Sequence, residues 1–405
     1  MERSLMTSPL DNLRVLDFTH ALAGPYCTML MATYGAEVYK IEGIGTGDMG
    51  RTWGPPFQGG EASYFLGVNT GKKGVAINLK HPRGLELCRA MVEKADVLIE
   101  NLRPGALERL GLGYKECATL NPRLVYCSIS GYGQDGPSRD EPAMDLILQA
   151  TSGLISVTGT GPESLARCGH SVADITAGMA ALIGILMALR ARETTGRGQF
   201  VDVGMLDAMV SAMCSNFANL FGSGNVPGPL GTAFATIVPY RTFRTSDGEL
   251  AIAVASEKLW QQFCETIGMP ELASDERYLT NPLRVKNRGT LEPVLAAMFR
   301  EKTTAEWMAT LRAGGVPCGP VRDLREVSED PQAAARDMFP VVRHATAGDV
   351  RVTGAPIKFS ETPGRVREAA PLAAGHTREA LKELLQMDDA AIDECVREGI
   401  VMERS

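Results

Sequence analysis

Apolar residues in the first part of the chain are spaced so that strands and helices alternate. The alternating segment NLRVLDFTH (12–20) predicts a strand that runs into the turn ALAGP. YCTMLMATYG then predicts a helix that Gly35 closes, and AEVYKIE predicts a second strand. The order continues through the strand GVAINLK, the helix GLELCRAMVEKA and the strands DVLIENL and RLVYCSISGYG. Strands and helices in this order predict an α/β fold with a parallel, doubly wound sheet.

Four loops at the predicted carboxyl ends of these strands carry glycine or proline together with polar side chains. They are HALAGP, EGIGTGD, NLRPGAL and SGYGQDGP. Ligands of doubly wound sheets bind beyond the carboxyl ends of the strands. We therefore expect the functional site among these loops.

The second half of the chain changes character at 222–240, a stretch rich in glycine and proline. Before it, a long helix at 174–192 is followed by a strand and another helix. After it, RTFRTSDGELAIAVAS predicts a hairpin that turns at Asp247–Gly248. Three helices complete a smaller α+β unit, at 256–267, 290–301 and 304–314, and the tail HTREALKELL predicts one more.

Length and composition are those of a soluble enzyme with two domains. The 405 residues exceed the size of one small core, and 44% apolar and 22% charged residues are ordinary proportions. A net charge of -7 argues against nucleic acid as a partner. The nine cysteines form no CxxC pair, which favours reduced thiols in the cytoplasm and no zinc site. The apolar run within 177–189 is shorter than a membrane span, so we expect no membrane association.

Common catalytic motifs are missing or incomplete. GTGDMG (45–50) matches the GxGxxG dinucleotide fingerprint, but RTWGPPFQGG follows it, and its prolines and glycines prevent the helix that must receive the pyrophosphate. There is no GxSxG, P-loop or HExxH. The sequence therefore predicts neither a nicotinamide or flavin cofactor nor a metal.

Asp174 stands at the predicted start of the long helix. Aspartate is a favoured N-cap, so one interpretation is structural. A carboxylate at a helix start is also held ionised and available for chemistry. His20 follows the first strand and is either a hydrogen-bonded loop residue or a site residue. Five cations near strand ends are either solvated or contact the phosphates of a nucleotide-like ligand: Lys72, Lys73, Lys80, Arg103 and Arg109.

A set of motifs in a fixed order resembles the class III coenzyme A transferases, the family of formyl-CoA transferase and its carnitine and bile-acid relatives. The motifs span residues 10 to 386 and include VLDFTHALAGPYCTMLMATYGAEVYKIE, NTGKKGVAINLK, ADVLIENLRPGALERLGLGY, SGYGQDGP, ADITAGMAALIGILMALRARETTGRGQFVDVGMLDA, GVPCGPV, TGAPIKFS and GHTREALKELL. The resemblance implies a large Rossmann-like domain and a small α+β domain, in a homodimer whose two chains are interlocked. The implied divisions are 1–205 with 335–405 for the large domain, 206–230 and 315–334 for linkers, and 231–314 for the small domain.

The resemblance makes Asp174 the catalytic carboxylate, which attacks an acyl-CoA thioester and passes through an aspartyl anhydride and an aspartyl-CoA thioester. It also implies the residues that contact CoA or line its site. These are His20, Ala21, Leu22, Ala23, Ile77, Lys80, Asn101, Leu102, Arg109 and Asp145. Coenzyme A is then a substrate, and no tightly bound cofactor is expected.

Several residues depart from the patterns of named branches. Formyl-CoA transferases have glutamine, arginine and glutamate where this chain has Leu22, Gly43 and Asp145, and GTAFATIVPY stands in place of their tetraglycine loop. Met144 replaces the histidine base of the related racemases. The resemblance favours transfer of CoA from succinyl-CoA to a C4 or C5 dicarboxylate such as malate, citramalate or itaconate.

Four alternatives stay open. They are an oxalate transferase of the formyl-CoA type, an intramolecular CoA transferase, a 2-methylacyl-CoA racemase and a CoA-binding subunit that pairs with an active paralogue.

Overall fold

A computed structural model describes residues 8–45 and 47–404 of the chain. Its strands are β1 Arg14–Asp17, β2 Glu37–Gly43, β3 Phe57–Gln58, β4 Glu61–Ala62, β5 Lys72–Ile77, β6 Val97–Glu100, β7 Val125–Ser130, β8 Gly159–Gly161, β9 Ser164–Leu165, β10 Phe200–Gly204, β11 Tyr240–Arg244, β12 Glu249–Ala253, β13 Cys318–Pro320, β14 Val341–His344, β15 Gly348–Arg351 and β16 Val401–Met402.

The helices are α1 Ala23–Thr33, α2 Ser63–Val68, α3 Pro82–Val92, α4 Tyr114–Leu120, α5 Asp145–Thr151, α6 Val172–Thr195, α7 Met205–Ala212, α8 Cys214–Ser223, α9 Glu257–Thr266, α10 Glu271–Ser274, α11 Asn281–Lys286, α12 Arg288–Phe299, α13 Thr304–Ala313, α14 Leu324–Ser328, α15 Pro331–Ala335, α16 Thr377–Leu385 and α17 Asp389–Arg397. Short 3-10 turns lie at Met49–Thr52, Glu108–Leu110 and Ile155–Val157.

The main sheet has the strand order β10-β7-β6-β1-β2-β5-β16. All its pairings are parallel except that of β16 with β5, which is antiparallel. The predicted α/β class with a parallel sheet is confirmed. The chain builds from β1 through β2 to β5 and then crosses to β6 on the other side of β1. Strand order therefore reverses between β1 and β6, the position at which doubly wound sheets bind ligands.

Local sequence explains why the elements begin and end where they do. Helix α3 starts with Pro82, and the His81 side chain caps it by accepting a hydrogen bond from the Arg83 N–H. Its Cys88, Met91 and Val92 are fully buried in the core beneath the sheet. Helix α6 ends at Gly196, whose φ of 69° is the left-handed conformation that glycine adopts without strain.

The described chain divides into two compact units. The first contains 8–152, 168–214 and 331–404, and the second contains 153–167 and 215–330. The second unit has its own core, in which Trp260, Phe263, Phe299 and Trp307 are buried and their rings are in contact. These divisions differ from those expected above: 153–167 joins the second unit, and the segments expected as linkers contain α7, α8, β13 and α14.

Helix α6 is longer than the sequence pattern indicated. It runs for 24 residues instead of the predicted 19, because it begins two residues earlier, at Val172, and continues three residues past Arg192 to Thr195. Among the described residues it is the one helix long and apolar enough to cross a membrane by length and composition, and 33% of its most apolar window is buried. The expectation that this run falls short of a span was wrong. A core helix passes the same test, and α6 packs against α1, β7 and β10.

Candidate active site

The loops that follow β1 and β6 are joined where the strand order reverses. The His20 N–H donates to Asn101 Oδ1 at 2.8 Å, and Asn101 Nδ2 donates to the His20 carbonyl at 2.9 Å. Between His20 and helix α1, Ala21 has a φ of 63°, a left-handed conformation that costs free energy for any residue except glycine. The structure thus places four predicted site residues together: His20, Ala21, Leu22 and Asn101.

Buried charges lie directly beneath this loop. Asp17 and Lys72 form an ion pair at 3.0 Å, Lys40 and Asp48 form another at 2.8 Å, and all four side chains are at most 1% exposed. Lys40 also donates to the carbonyl of Thr19, one residue before the loop. Burial alone would raise the pKa of Asp17, but the charges of Lys72 and Lys40 outweigh it and hold that pKa well below its usual range.

Lys72 and Lys73 do not lie at the carboxyl end of a strand. They are the first two residues of β5, where Lys72 is buried against Asp17 and Lys73 pairs with Glu379 and Glu383. The interpretation of these two lysines as phosphate ligands was wrong. The sequence shows that a strand is near, but a lysine's position on that strand depends on a register that only the folded sheet fixes.

Asp174 is the third residue of α6, and it does not cap the helix. The N-cap is Ser171, which makes no side-chain capping bond. The carboxylate of Asp145 caps the helix instead, because its Oδ1 accepts a hydrogen bond from the Ala173 N–H at 3.0 Å. Its Oδ2 accepts a hydrogen bond from Gln149 Nε2, and Gln149 Oε1 accepts one from the Cys168 N–H. The side chain of Asp174 therefore takes no part in capping α6.

Asp174 has the electrostatics of a reactive carboxyl group. It is partly buried, and no hydrogen bond or ion pair to it is recorded among residues 8–45 and 47–404. Burial first, and then the negative charge of Asp145, raise the pKa of Asp174 to about 7. We expected the helix start to keep this group fully ionised at neutral pH. In the structure burial dominates, so close to half of the molecules carry the proton at about pH 7.

Helix packing brings α6 close to the His20 loop. A Cβ atom at Gly178, one turn after Asp174, would come within 2.5 Å of the Ala23 carbonyl oxygen. Only glycine therefore permits this approach of α6 to α1. Asp174 and Gly178 are four residues apart and share a helix face, so Asp174 lies on the side of α6 that faces α1.

Two aromatic residues near Asp174 had no signal in the sequence. Burial raises the pKa of Tyr64, and the negative charges of Asp174, Asp48 and Asp145 raise it further. The Trp53 ring packs on Tyr64 at 5.0 Å. Trp53 directly follows the 3-10 turn Met49–Thr52, which overlaps the end of the rejected dinucleotide motif GTGDMG.

The residues expected at the nucleotide end of CoA differ in accessibility. Ile77 is fully buried in the core, so its side chain offers no contact surface. Lys80 and Arg109 are exposed, and Leu102 is half-buried. Glu100 accepts hydrogen bonds from the Leu102 N–H at 2.7 Å and from the Ser128 hydroxyl. Burial, and then the charge of Asp202, raise the pKa of Glu100 to about 7. The nucleotide contacts stay predictions.

Asparagine at position 174 is expected to stabilise the protein above pH 7. The raised pKa means that ionised Asp174 is less favourable in the folded than in the unfolded state, where the pKa is about 4. Wild type should therefore lose stability relative to D174N as the pH rises from about 4 to about 7, and the two should converge below about pH 4. Thermal unfolding scans of both proteins from pH 4 to 8.5 measure this difference.

The exposed Asp140, replaced by asparagine, serves as the matched control for loss of a carboxylate. A stability difference between D174N and wild type that does not vary with pH would contradict the raised pKa.

Comparisons with known proteins show the family to which the chain belongs. The model of CoA-transferase family III matches residues 10–377. Succinyl-CoA:glutarate CoA-transferase of Mus musculus is 38% identical over 97% of this chain and 90% of its own length. Succinyl-CoA:mesaconate CoA-transferase of Haloarcula marismortui is 37% identical over 92% of this chain and 96% of its own. The crystal structure of a CAIB/BAIF family protein from Brucella suis superposes with a TM-score of 0.83 at 34% identity, covering 93% of this chain and all of that one.

The family match extends over nearly the whole chain and confirms the resemblance drawn from the motifs. The chain is an enzyme and belongs to family III of the CoA-transferases.

Proposed function

We propose that the protein transfers CoA from succinyl-CoA to a C4 or C5 dicarboxylate, with Asp174 as the covalent catalyst. The observation that carries the proposal is the partly buried Asp174 carboxylate in the first turn of α6, which has no hydrogen bond or ion pair within 8–45 and 47–404. The names of the relatives support succinyl-CoA as donor and make glutarate and mesaconate the first acceptors to test, beside malate, citramalate and itaconate.

In the proposed reaction Asp174 attacks the thioester carbonyl of succinyl-CoA, which breaks the carbon–sulfur bond and gives a succinyl–aspartyl anhydride and the CoA thiolate. The thiolate attacks the Asp174 acyl carbon and releases succinate, leaving an aspartyl-CoA thioester. The acceptor carboxylate then attacks that thioester, forming a second anhydride and the thiolate. Attack of the thiolate on the acceptor's acyl carbon completes the new thioester and frees Asp174.

Each step needs a group that the site supplies. Only the ionised form of Asp174 is a nucleophile, and a pKa of about 7 keeps a substantial ionised fraction at neutral pH. Each tetrahedral intermediate carries an oxyanion, which backbone N–H groups stabilise. In helix α1 the first N–H groups have no side-chain cap. We infer that the loop of His20, Ala21, Leu22 and Ala23 lies along the thioester and pantetheine.

The adenine and phosphates of CoA are assigned to the next strand ends. Asn101 and Leu102 follow β6, Lys80 follows β5, and Arg109 lies in the turn after β6. The two cations are exposed and suit phosphate groups. Asp145 acts in this scheme through the start of α6 and through its charge on Asp174, not by contact with CoA.

The assay that tests this function is incubation with succinyl-CoA and one acid at a time, with thioesters identified by mass spectrometry. Glutarate, mesaconate, malate, citramalate, itaconate and oxalate form the panel. We expect a new dicarboxyl-CoA and succinate in equal amounts. If none of the acids yields a new thioester, the proposed function is wrong; oxalyl-CoA alone would assign the protein to the oxalate branch.

The same assay in D2O separates the rival activities. A racemase exchanges the α-hydrogen of its acyl-CoA, and Met144, 59% exposed beside Asp145, offers no base for that step. We therefore expect no deuterium in recovered succinyl-CoA. An intramolecular transferase would isomerise an unsaturated dicarboxyl-CoA with no acceptor present, and a non-catalytic subunit would bind CoA without turnover.

We further propose that two copies form the interlocked homodimer that the resemblance implies. Four large apolar residues on α6 are exposed, and neighbouring α5 adds two more; together we call them the α6 patch: Met179, Ile183, Leu186, Met187, Leu146 and Ile147. An apolar surface of this extent on a described unit calls for a partner, and a second copy is the partner we propose.

Glutamate at Ile183 and Met187 together is expected to weaken the dimer. Two charges in the α6 patch must be desolvated on association, so newly made or refolded chains should assemble less completely and a monomer fraction should appear where wild type is a dimer. Sedimentation velocity over a concentration series measures it. Glutamate at Thr119, exposed on α4, is the control for added charge. A wild type that sediments as a monomer at every concentration would contradict the dimer.

Nine cysteines are free, and five of them are buried in the first unit or its core: Cys27, Cys88, Cys117, Cys127 and Cys395. Free thiols persist in a reducing compartment. We propose a cytoplasmic location on this basis. We also propose that coenzyme A is a substrate and that no cofactor is tightly bound.

A further inference from the structure

One oxygen of Asp48 joins two loops of the site. Its Oδ1 accepts hydrogen bonds from the Ala21 N–H at 3.0 Å and from the Gly50 N–H at 2.8 Å. The other oxygen, Oδ2, lies 2.8 Å from Lys40 Nζ, off the direction of an aligned hydrogen bond, so this contact is an ion pair. The Asp48 side chain is 1% exposed. In this buried carboxylate, Oδ1 therefore accepts hydrogen bonds from the two loops and Oδ2 forms the ion pair with Lys40.

The first loop needs this acceptor because Ala21 is left-handed. A non-glycine residue at a φ of 63° is strained and persists only where its surroundings hold it. Asn101 fixes His20 on one side, and Asp48 fixes the Ala21 N–H on the other. Loss of the Asp48 oxygen would leave a partly buried N–H unpaired and remove the contact that opposes the strain.

The second loop leads to the aromatic residues near Asp174. The Gly50 N–H begins the 3-10 turn Met49–Thr52, for which Asp48 is the N-cap. Trp53 follows that turn and packs against Tyr64, whose phenol lies in the field of Asp174. The position of this aromatic pair therefore depends on the same oxygen as the backbone of Ala21.

We propose that Asp48 is a positioning residue whose Oδ1 fixes the His20–Leu22 loop and the Trp53–Tyr64 pair relative to each other. The proposal rests on the proposed function, since it assigns the first loop to the thioester and the second to the neighbourhood of the reacting carboxylate. Transfer through two anhydrides requires thiolate and acid to reach the same Asp174 carbon in turn. Small displacements of the His20–Leu22 loop or of the Trp53–Tyr64 pair then lower the rate strongly.

A purely structural role of Asp48 would depend on its charge and not on its hydrogen bonds. If the Lys40–Asp48 ion pair only stabilises the fold, the charges matter and the two N–H groups do not. Removing both charges at once separates the two roles, because it leaves no unpaired buried charge. In K40M/D48N an amide oxygen still accepts from Ala21 and Gly50. K40M/D48L has the same charge and a side chain that also branches at Cγ, but no acceptor.

The two double variants form a matched pair. Both lose the bond from Lys40 to the Thr19 carbonyl, so this loss cancels in the comparison. We expect kcat of K40M/D48L to be roughly 10 to 100 times lower than that of K40M/D48N at 25 °C. The dissociation constant for CoA should change less than kcat, and A21G added to K40M/D48L should recover part of the rate, since glycine adopts the left-handed conformation freely.

Equal kcat in K40M/D48N and K40M/D48L, with both folded, would overturn the proposal. If K40M/D48L does not fold, K40M/D48S replaces it, because a serine hydroxyl stops short of the Oδ1 position. Hydrogen exchange gives a readout that needs no activity: peptides covering 18–24 and 47–53 should both exchange faster in K40M/D48L than in K40M/D48N. Unchanged exchange in both peptides would refute the loop connection, whereas wild type without transfer would refute only the proposed function.

Discussion

Replacing Asp174 by alanine is expected to lower kcat for CoA transfer by on the order of 10³-fold or more, because no other group can carry the anhydride and thioester. The dissociation constant for CoA should stay within a few-fold of wild type. Asp174 makes no hydrogen bond or ion pair within the described chain, so its removal should disturb the fold little. Thioester exchange measures the first quantity and calorimetric titration with CoA the second.

Covalent labelling makes this result specific to one side chain. Wild type quenched during turnover with hydroxylamine or borohydride should carry a modified residue at position 174, identified by peptide mass spectrometry. Asp145→Asn, which retains an oxygen for the Ala173 N–H, is the control for loss of a nearby carboxylate and should still be labelled at Asp174. A label on another residue, or product without a label, would contradict covalent catalysis by Asp174.

The rate of transfer is expected to fall about tenfold for each pH unit below about 7. Burial and the charge of Asp145 raise the pKa of Asp174 to about 7, and only its ionised form attacks the thioester. For an acid with a raised pKa the ionised fraction decreases as the pH falls through that value, so kcat/KM should be roughly 100-fold lower at pH 5 than at pH 8. The profile of kcat/KM between pH 5 and 9 measures it.

Two variants assign the titrating group. Asp145→Asn removes the neighbouring negative charge and should move the midpoint of the profile to lower pH. Glu100 has a pKa of about 7 as well, so Glu100→Gln tests whether the buried carboxyl beneath Leu102 is responsible instead. A midpoint that moves in E100Q and not in D145N would contradict the assignment to Asp174.

Local pattern predicted the order of the large unit's strands and helices well. Each strand of the central parallel set has a short apolar run, and alternation with helices is enough to specify a parallel sheet. Element ends were less accurate: α6 begins at Val172, two residues before Asp174, because the cap comes from the distant Asp145. Helix α5 and the antiparallel β16 were not predicted, since both are short and lie outside the alternating pattern.

The site itself was only partly predictable. Asp174 was ambiguous as a pattern, and only the resemblance of many motifs together made it the predicted catalytic residue. Tyr64, Trp53 and Asp48 carry no signal of their own, because their importance comes from contacts between loops that are distant in sequence. The raised pKa of Asp174 likewise depends on how deeply the folded chain buries it.

The antiparallel edge strand β16 ties the far end of the described chain to the turn that carries Lys80. The Asn78 N–H donates to the Ile400 carbonyl at 2.8 Å, and Asn78 Nδ2 donates to the carbonyl of Gly399. The position of the turn that carries Lys80 therefore depends on a segment more than three hundred residues away. We expect substitutions near 399–402 to weaken the proposed contact of Lys80 with the nucleotide of CoA and to leave the proposed reaction at Asp174 unchanged.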